Sequence, residues 1–462
     1  MTAVFERLRV TPRLVSLVCD PGGLNDEWRD LAERAFADTV GVLLAGATEP
    51  AVAVLAGTID EFGGPVRAVA TGAAMSARSA ALLDGTAAHA LDYDDVDDAL
   101  IAHPSAVLVP ALLAAGQAPD VTGEDLLDAF RVGLEAARAL AAALGITEHY
   151  VLGWHSTGTI GTIAAAAAAA RLARLGTDAT GHALGIAGSL AAGSRQNFGT
   201  MTKPLHAGAA AANGLLAARL AAAGFTADPD QLDGPLGFRT LHAPTHDTDT
   251  APPSEPAPAG PPGLNVKLFP CCYATHSAAE AALDLAREIS DPAEVTAVEV
   301  VVPPGGLAPL VHHRPVDGAQ AKFCMEYVVA VCLLDRSLTL ASFEDDRVRR
   351  ADVQSLIRLV EVSTTDTAST GSVPDVGSFA VVTVFTVDGR RLSSRVDRPV
   401  GHASRPLSEV QLKSKFLDCV RGAPVTEAER AYDALRGLRR QGSIARLVEN
   451  LGPLSTARGV PR

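Results

Sequence analysis

Aromatic residues are scarce in this chain: they fill 4% of 462 positions, with 2 Trp and 5 Tyr. A core so poor in large rings must be built mostly from Ala, Leu and Val. Abundant alanine favours helices, because Ala has the highest helix propensity. Positive charge is in deficit too, 39 Lys+Arg against 53 Asp+Glu, for a formal net charge of −14. That balance argues against nucleic acid and anionic membrane as partners. Long apolar runs are missing. The longest candidate, Ile163–Ala170, lies between Thr162 and Arg171 and is too short to span a bilayer. The 6 cysteines include no CxxC pair, and vicinal Cys271–Cys272 is a poor disulfide candidate. With no signal peptide at MTAVFERLRV, the expectation is free thiols in a reducing cytoplasm.

What is present fits a globular chain, 48% apolar and 20% charged, and its length calls for two domains. Apolar spacing predicts helices over Leu24–Ala45 with Asn25 as cap, Ser76–Leu91, Gly123–Leu144, Gly158–Leu175, Gly181–Ala192 and Pro204–Ala223. Val107–Ala115 continues the pattern, with Pro110 expected to kink or restart that helix. The first 225 residues contain no convincing alternation, so this half reads as all-helical. His242–Gly263, rich in Pro, Ala and Thr, reads as an exposed connection. Beyond it the pattern is mixed: helices over His276–Ile289 and Phe323–Leu338, a strand over Val295–Val302, and a hairpin turning at Asp388–Gly389. The expected division is a helical domain over 1–263, an α+β domain over 264–400, and C-terminal helices over 401–462 that return to the first.

Leu91–Pro110 packs Asp92, Asp94, Asp95, Asp97 and Asp98 into seven positions and then sets His103 before Pro104. Carboxylates beside an imidazole suit proton transfer or a cation site. The spacing lacks the glycine and terminal glutamate of a calcium loop, so no metal is expected. Three more polar clusters stand at predicted helix starts: His155 before Ser156–Thr157, Lys203 before Pro204, and Lys267 three residues ahead of Pro270. Helix N-termini attract anions through free N–H groups and the macrodipole. If these ends converge, they make a cup for a small polycarboxylate. His206 and His276 read as core histidines, and Cys271 and Cys272 as packed thiols.

Five stretches, in order, resemble the MmgE/PrpD family: GTAAHALDYDDVDDALIAHPSAVLVPALLA, GWHSTGTIGTIAAAA, GSRQNFGTMTKPLHAGAAAANG, LNVKLFPCCYATHSAAEAAL and AKFCMEYVVAVCLLD. The resemblance implies a large helical domain with a smaller α+β lid, in a homodimer. It also implies a lyase without metal or organic cofactor that moves a proton next to a carboxylate of a small di- or tricarboxylate. Matched by motif, Asp92, His103, His155 and Tyr327 are the implied catalytic residues, and Lys203 and Lys267 the carboxylate clamps. Val96 and Cys272 stand at substrate-contacting positions where the decarboxylase branch has threonine and histidine. Dehydration of the 2-methylcitrate type is the leading expectation. Cis-aconitate-type decarboxylation and iminodisuccinate-type epimerisation are the rivals within enzymes, and a catalytically silent carboxylate-binding protein is the rival outside them.

Overall fold

A computed structural model describes residues 9–20, 22–59, 63–244, 263–365 and 379–456. They form two compact units: one holds the described parts of Met1–Asn197, Met201–Leu264 and Ser408–Arg462, the other Phe198–Thr200 and Asn265–Leu407. The first is a large helical unit and the second a smaller α+β unit. No single helix among the described residues is long and apolar enough to cross a membrane.

The first unit runs α1 (Val10–Cys19), α2 (Asp26–Gly46), α3 (Pro50–Thr58), α4 (Ala77–Ala90), α5 (Ser105–Gly116), α6 (Gly123–Leu144), α7 (Ser156–Leu172), α8 (Thr177–Leu190) and α9 (Thr202–Ala222). Side chains start these helices where the sequence offers caps: Asn25 accepts from Trp28 N–H, Ser76 from Ser79 N–H, and Thr122 with Asp125 forms a capping box. Small residues set the spacing. A Cβ on Gly208 of α9 would lie 2.2 Å from the Leu82 carbonyl of α4, and one on Gly85 would lie 2.8 Å from Gly208 Cα. The α4–α9 crossing therefore closes to backbone contact, which draws the end of α4 toward the start of α9.

Two expectations for this half need correction. The all-helical reading misses a two-residue antiparallel ladder, Val66–Arg67 with Ala74–Met75. It turns through Gly72 at φ 69°, and two residues per strand are too few to show alternation. Pro110 does not restart a helix, since α5 runs through it from Ser105 to Gly116. An interior proline costs about 3 kcal/mol. Here all but Ala115 of twelve residues are buried, and that burial outweighs the lost bond.

The second unit contains a four-stranded sheet in the order Val360–Thr364, Val295–Val302, Ala380–Thr386, Arg391–Val396. The first pair is parallel and the others antiparallel. The hairpin turns at Asp388–Gly389, where Gly389 has φ 84°. Helices α10 (His276–Ala286) and α11 (Met325–Asp335) share the apolar core that includes Val298, Val300, Val382 and Val384. Glu409–Cys419, Val425–Arg436 and Ile444–Thr456 complete the described residues as α12, α13 and α14. The Pro-rich stretch from 245 to 262 lies outside the described residues.

Candidate active site

Three sequence signals converge within the helical unit: the loop after α4, the start of α7 and the start of α9. Asp92 adopts φ 53°, a left-handed conformation that Asp tolerates better than most residues. The turn aims its carboxylate at α9, where Lys203 Nζ donates to Asp92 Oδ1 at 2.5 Å. His103 Nε2 lies 3.9 Å from the same oxygen.

His103 Nδ1 stands 3.2 Å from Asp94 Oδ2, and His89 Nδ1 stands 2.8 Å from that same oxygen. One carboxylate thus faces two imidazoles, whose rings are 4.5 Å apart. The side chains of Asp94 and His89 are fully buried, while His103 keeps 15% exposure. Burial alone would raise the Asp94 carboxyl. The two imidazoles outweigh burial and hold it well below the usual carboxylate range. Burial pulls His89 down to about 3, against the pull of Asp94, so His89 is a neutral N–H donor. With Nδ1–H turned to Asp94, His103 has Nε2 left for chemistry, on the side of Asp92 and Lys203.

The other loop carboxylates have structural partners. Asp95 accepts from the Ser105 hydroxyl and backbone N–H at the start of α5, and burial pushes it up to about 8. Asp97 meets Arg138 at 2.6 Å. From α12, Lys415 Nζ donates to the Tyr93 carbonyl at 2.9 Å and pairs with Asp38 at 2.7 Å, which braces the loop from behind.

His155 occupies the position just before α7, and its side chain makes no cap bond to the helix. Its N–H donates to the Gly193 carbonyl at 3.0 Å, and its Nδ1 lies 3.0 Å from His206 Nδ1. Thr157 in the first turn of α7 accepts from His103 N–H at 3.1 Å. Burial, with the neighbouring histidines and Lys203 adding to it, holds His155 well below the usual imidazole range.

Donor atoms of His89, Asp92, Asp94 and His103 fall within 4.8 Å of one another. The Lys203 ammonium already neutralises Asp92. Val96, in the same loop, is half-buried.

The remaining expected site residues belong to the α+β unit. Lys267 is fully buried, and the backbone beside it is fixed by Val266 N–H donating to the Gly401 carbonyl at 2.8 Å. Cys272 is buried, and its N–H donates to the Lys322 carbonyl at 2.9 Å. Tyr327 is fully buried; its hydroxyl donates to the Ser342 carbonyl and its ring packs 5.8 Å from Phe343. That arrangement fits a core tyrosine and lends no support to a catalytic part. Burial also pushes its hydroxyl pKa up.

Sequence reasoning missed His89 and gave Asp94 only a possible cation-binding role. The signal for His89 was its place one turn before the acidic loop, at the end of α4. His206 stood as a core histidine, yet it contacts His155 directly.

A half-buried imidazole between two carboxylates and an ammonium, at convergent helix starts, makes a candidate acid–base site suited to a small anion. The chain belongs to the MmgE/PrpD family: the model of its N-terminal domain matches residues 20–251 and that of its C-terminal domain residues 269–438. It is 28% identical to human cis-aconitate decarboxylase over 413 residues, 86% of this chain and 84% of that protein. It is 30% identical to mouse cis-aconitate decarboxylase over 354 residues, covering 73% and 70% respectively. Against cis-aconitate decarboxylase of Aspergillus terreus (strain NIH 2624 / FGSC A1156) the identity is 27% over 378 residues, 76% of each chain.

Proposed function

We propose that this chain is a lyase that moves a proton at the carbon next to a carboxylate of a small di- or tricarboxylate. The observation that carries the reading is His103 held between Asp94 and Asp92, with the Lys203 ammonium beside it. Imidazole is the side chain best poised for proton transfer near neutral pH. An ammonium has three N–H donors, so Lys203 can hold a substrate carboxylate while keeping its bond to Asp92. Lys267, from the α+β unit, would be the second clamp.

Decarboxylation of an unsaturated tricarboxylate is the reading that the named relatives support. The C–C bond to the leaving carboxylate breaks, and its electron pair forms a new double bond. The old double bond takes a proton at its far carbon, from His103 or His155, and CO2 departs. Each turnover consumes one proton. A second reading is dehydration of a 2-hydroxy tricarboxylate: Val96 and Cys272 stand where the resemblance gives the decarboxylase branch threonine and histidine, which counts against decarboxylation. There a base takes the proton next to a carboxylate, and hydroxide leaves as water.

Incubation with cis-aconitate, 2-methylcitrate and iminodisuccinate separates the readings. CO2 marks decarboxylation, new alkene absorbance marks dehydration, and a change in optical rotation alone marks epimerisation. Ligand-induced stabilisation without turnover marks a silent binding protein. A cytoplasmic homodimer is part of the same reading, and sedimentation equilibrium tests the dimer.

A further inference from the structure

His155 and His206 meet through the same ring atom, Nδ1 to Nδ1 at 3.0 Å, with ring centroids 5.2 Å apart. A contact of this kind between two neutral imidazoles has one solution: one Nδ1 bears the hydrogen and the other offers its lone pair. The two rings therefore hold opposite tautomers. If His206 donates, His155 carries its proton on Nε2; if His155 donates, its Nε2 is bare.

The pair is built tightly. Gly193 has φ 140°, and a Cβ there would lie 3.3 Å from His206 Cγ and 3.6 Å from His155 Cβ. A Cβ on Gly158 would fall 2.3 Å from the Ala192 carbonyl and 3.4 Å from His206 Cβ. Two glycines thus let the rings meet. Burial, with Lys203 adding to it, lowers the pKa of His206 as well as that of His155, so both rings are neutral at physiological pH. The two differ in access: His155 is 2% exposed, whereas His206 is half-buried.

We infer that His206 is a relay residue that sets the tautomer of His155 and keeps that ring neutral as it delivers a proton, by passing over its own Nδ1 proton and taking one from solvent. The inference rests on the proposed decarboxylation, which consumes one proton per turnover at a buried site. The step balances. His155 gives its Nε2 proton to the substrate carbon, and His206 passes its Nδ1 proton to His155 Nδ1. His206 then takes one proton from water at Nε2. One proton enters, one is delivered, and both rings end neutral with exchanged tautomers. Once product leaves, water at the site gives His155 Nε2 a proton, the Nδ1 proton returns to His206, and the His206 Nε2 proton goes back to solvent, which restores the first tautomers. His206 touches no reacting atom; it acts through His155.

The test uses the full chain, His206→Ala and His206→Asn. Asparagine keeps a hydrogen-bonding group toward His155 but passes no proton. With cis-aconitate as probe, both variants should lose roughly tenfold or more in kcat at little change in KM, less than the loss expected for a direct acid–base group. Added imidazole should restore His206→Ala in a saturable manner. Long-range 1H–15N correlation spectra of the resting wild-type protein should show one histidine protonated at Nδ1 hydrogen-bonded to another protonated at Nε2. Normal kcat in His206→Asn, or a loss in folded His206→Ala that imidazole leaves untouched, would overturn the relay. If wild type releases no CO2, the decarboxylase reading fails first. The spectra then stand alone, and two rings of the same tautomer would overturn the pairing.

Discussion

Lys203 Nζ and Asp92 Oδ1 meet at 2.5 Å across 111 positions of sequence, with both side chains 5% exposed. Their pairing joins the start of α9 to the turn after α4, and it is the cationic edge of the proposed substrate cup. Removing one partner of a buried pair strands the other charge, at a cost of about 3–5 kcal/mol. Lys203→Met should therefore lower stability by about that amount in urea unfolding. The double variant Lys203→Met, Asp92→Asn should recover much of the stability and none of the turnover. Equal stability of Lys203→Met and wild type would show that the pair is not buried as described.

His103 is the proposed acid–base group. His103→Asn should reduce turnover by roughly a hundredfold or more. Asp94→Asn should leave the fold intact and act through His103, because the amide presents a neutral partner to the imidazoles. Its kcat profile should shift so that His103 loses its proton at lower pH than in wild type. A pH profile identical to that of wild type would remove Asp94 from the mechanism.

His149 supplies a pH test outside the site. Its Nδ1 lies 3.1 Å from the His242 carbonyl and its Nε2 2.8 Å from Thr159 Oγ1, and burial pulls it down to about 4. Between its folded pKa and the unfolded value near 6.5, the unfolded chain binds the extra proton. Stability from the neutral ring is thus full above about pH 6.5 and is lost as pH falls toward 4. Relative to His149→Gln, wild type should lose about 2 kcal/mol between pH 7.5 and pH 5, read by urea titration at each pH. A difference that stays flat over this range would contradict a neutral His149.

Gly208 tests the link between packing and site. Gly208→Ala places a methyl against the Leu82 carbonyl and Thr86 Oγ1, the latter 2.3 Å from the ideal Cβ position. Overpacking of this kind costs about 1–3 kcal/mol. Because α4 and α9 carry the two sides of the Asp92–Lys203 pair, turnover should fall as well. A lowered Tm with full kcat would mean that the crossing does not set the site.

Several of these features could be read from sequence and others could not, for physical reasons. Gly123–Leu144 and Val295–Val302 match the observed helix and strand at both ends, since a capping box starts the one and β-branched residues define the other. Asp388–Gly389 marked its hairpin by turn chemistry alone. The ladder at Val66–Arg67 left no periodic trace, and Pro110 misled because burial overrode a local rule. In the candidate site, the convergence of Asp92, His103, His155 and Lys203 was legible because each stands beside a helix boundary. His89, in the last turn of α4, and His206, one turn into α9, were not, because each acquires its role from a partner: His89 from Asp94, and His206 from a ring 51 positions away.

Deuterium incorporation tests the central claim most directly. Cis-aconitate and 2-methylcitrate are incubated in D2O with wild type and with His103→Asn, and products and remaining substrates are read by 1H NMR. The account predicts deuterium at a carbon next to a carboxylate with wild type and at least a hundredfold slower labelling with His103→Asn. Equal labelling by the two proteins, or CO2 release from cis-aconitate by wild type with no deuterium in the product, would contradict it.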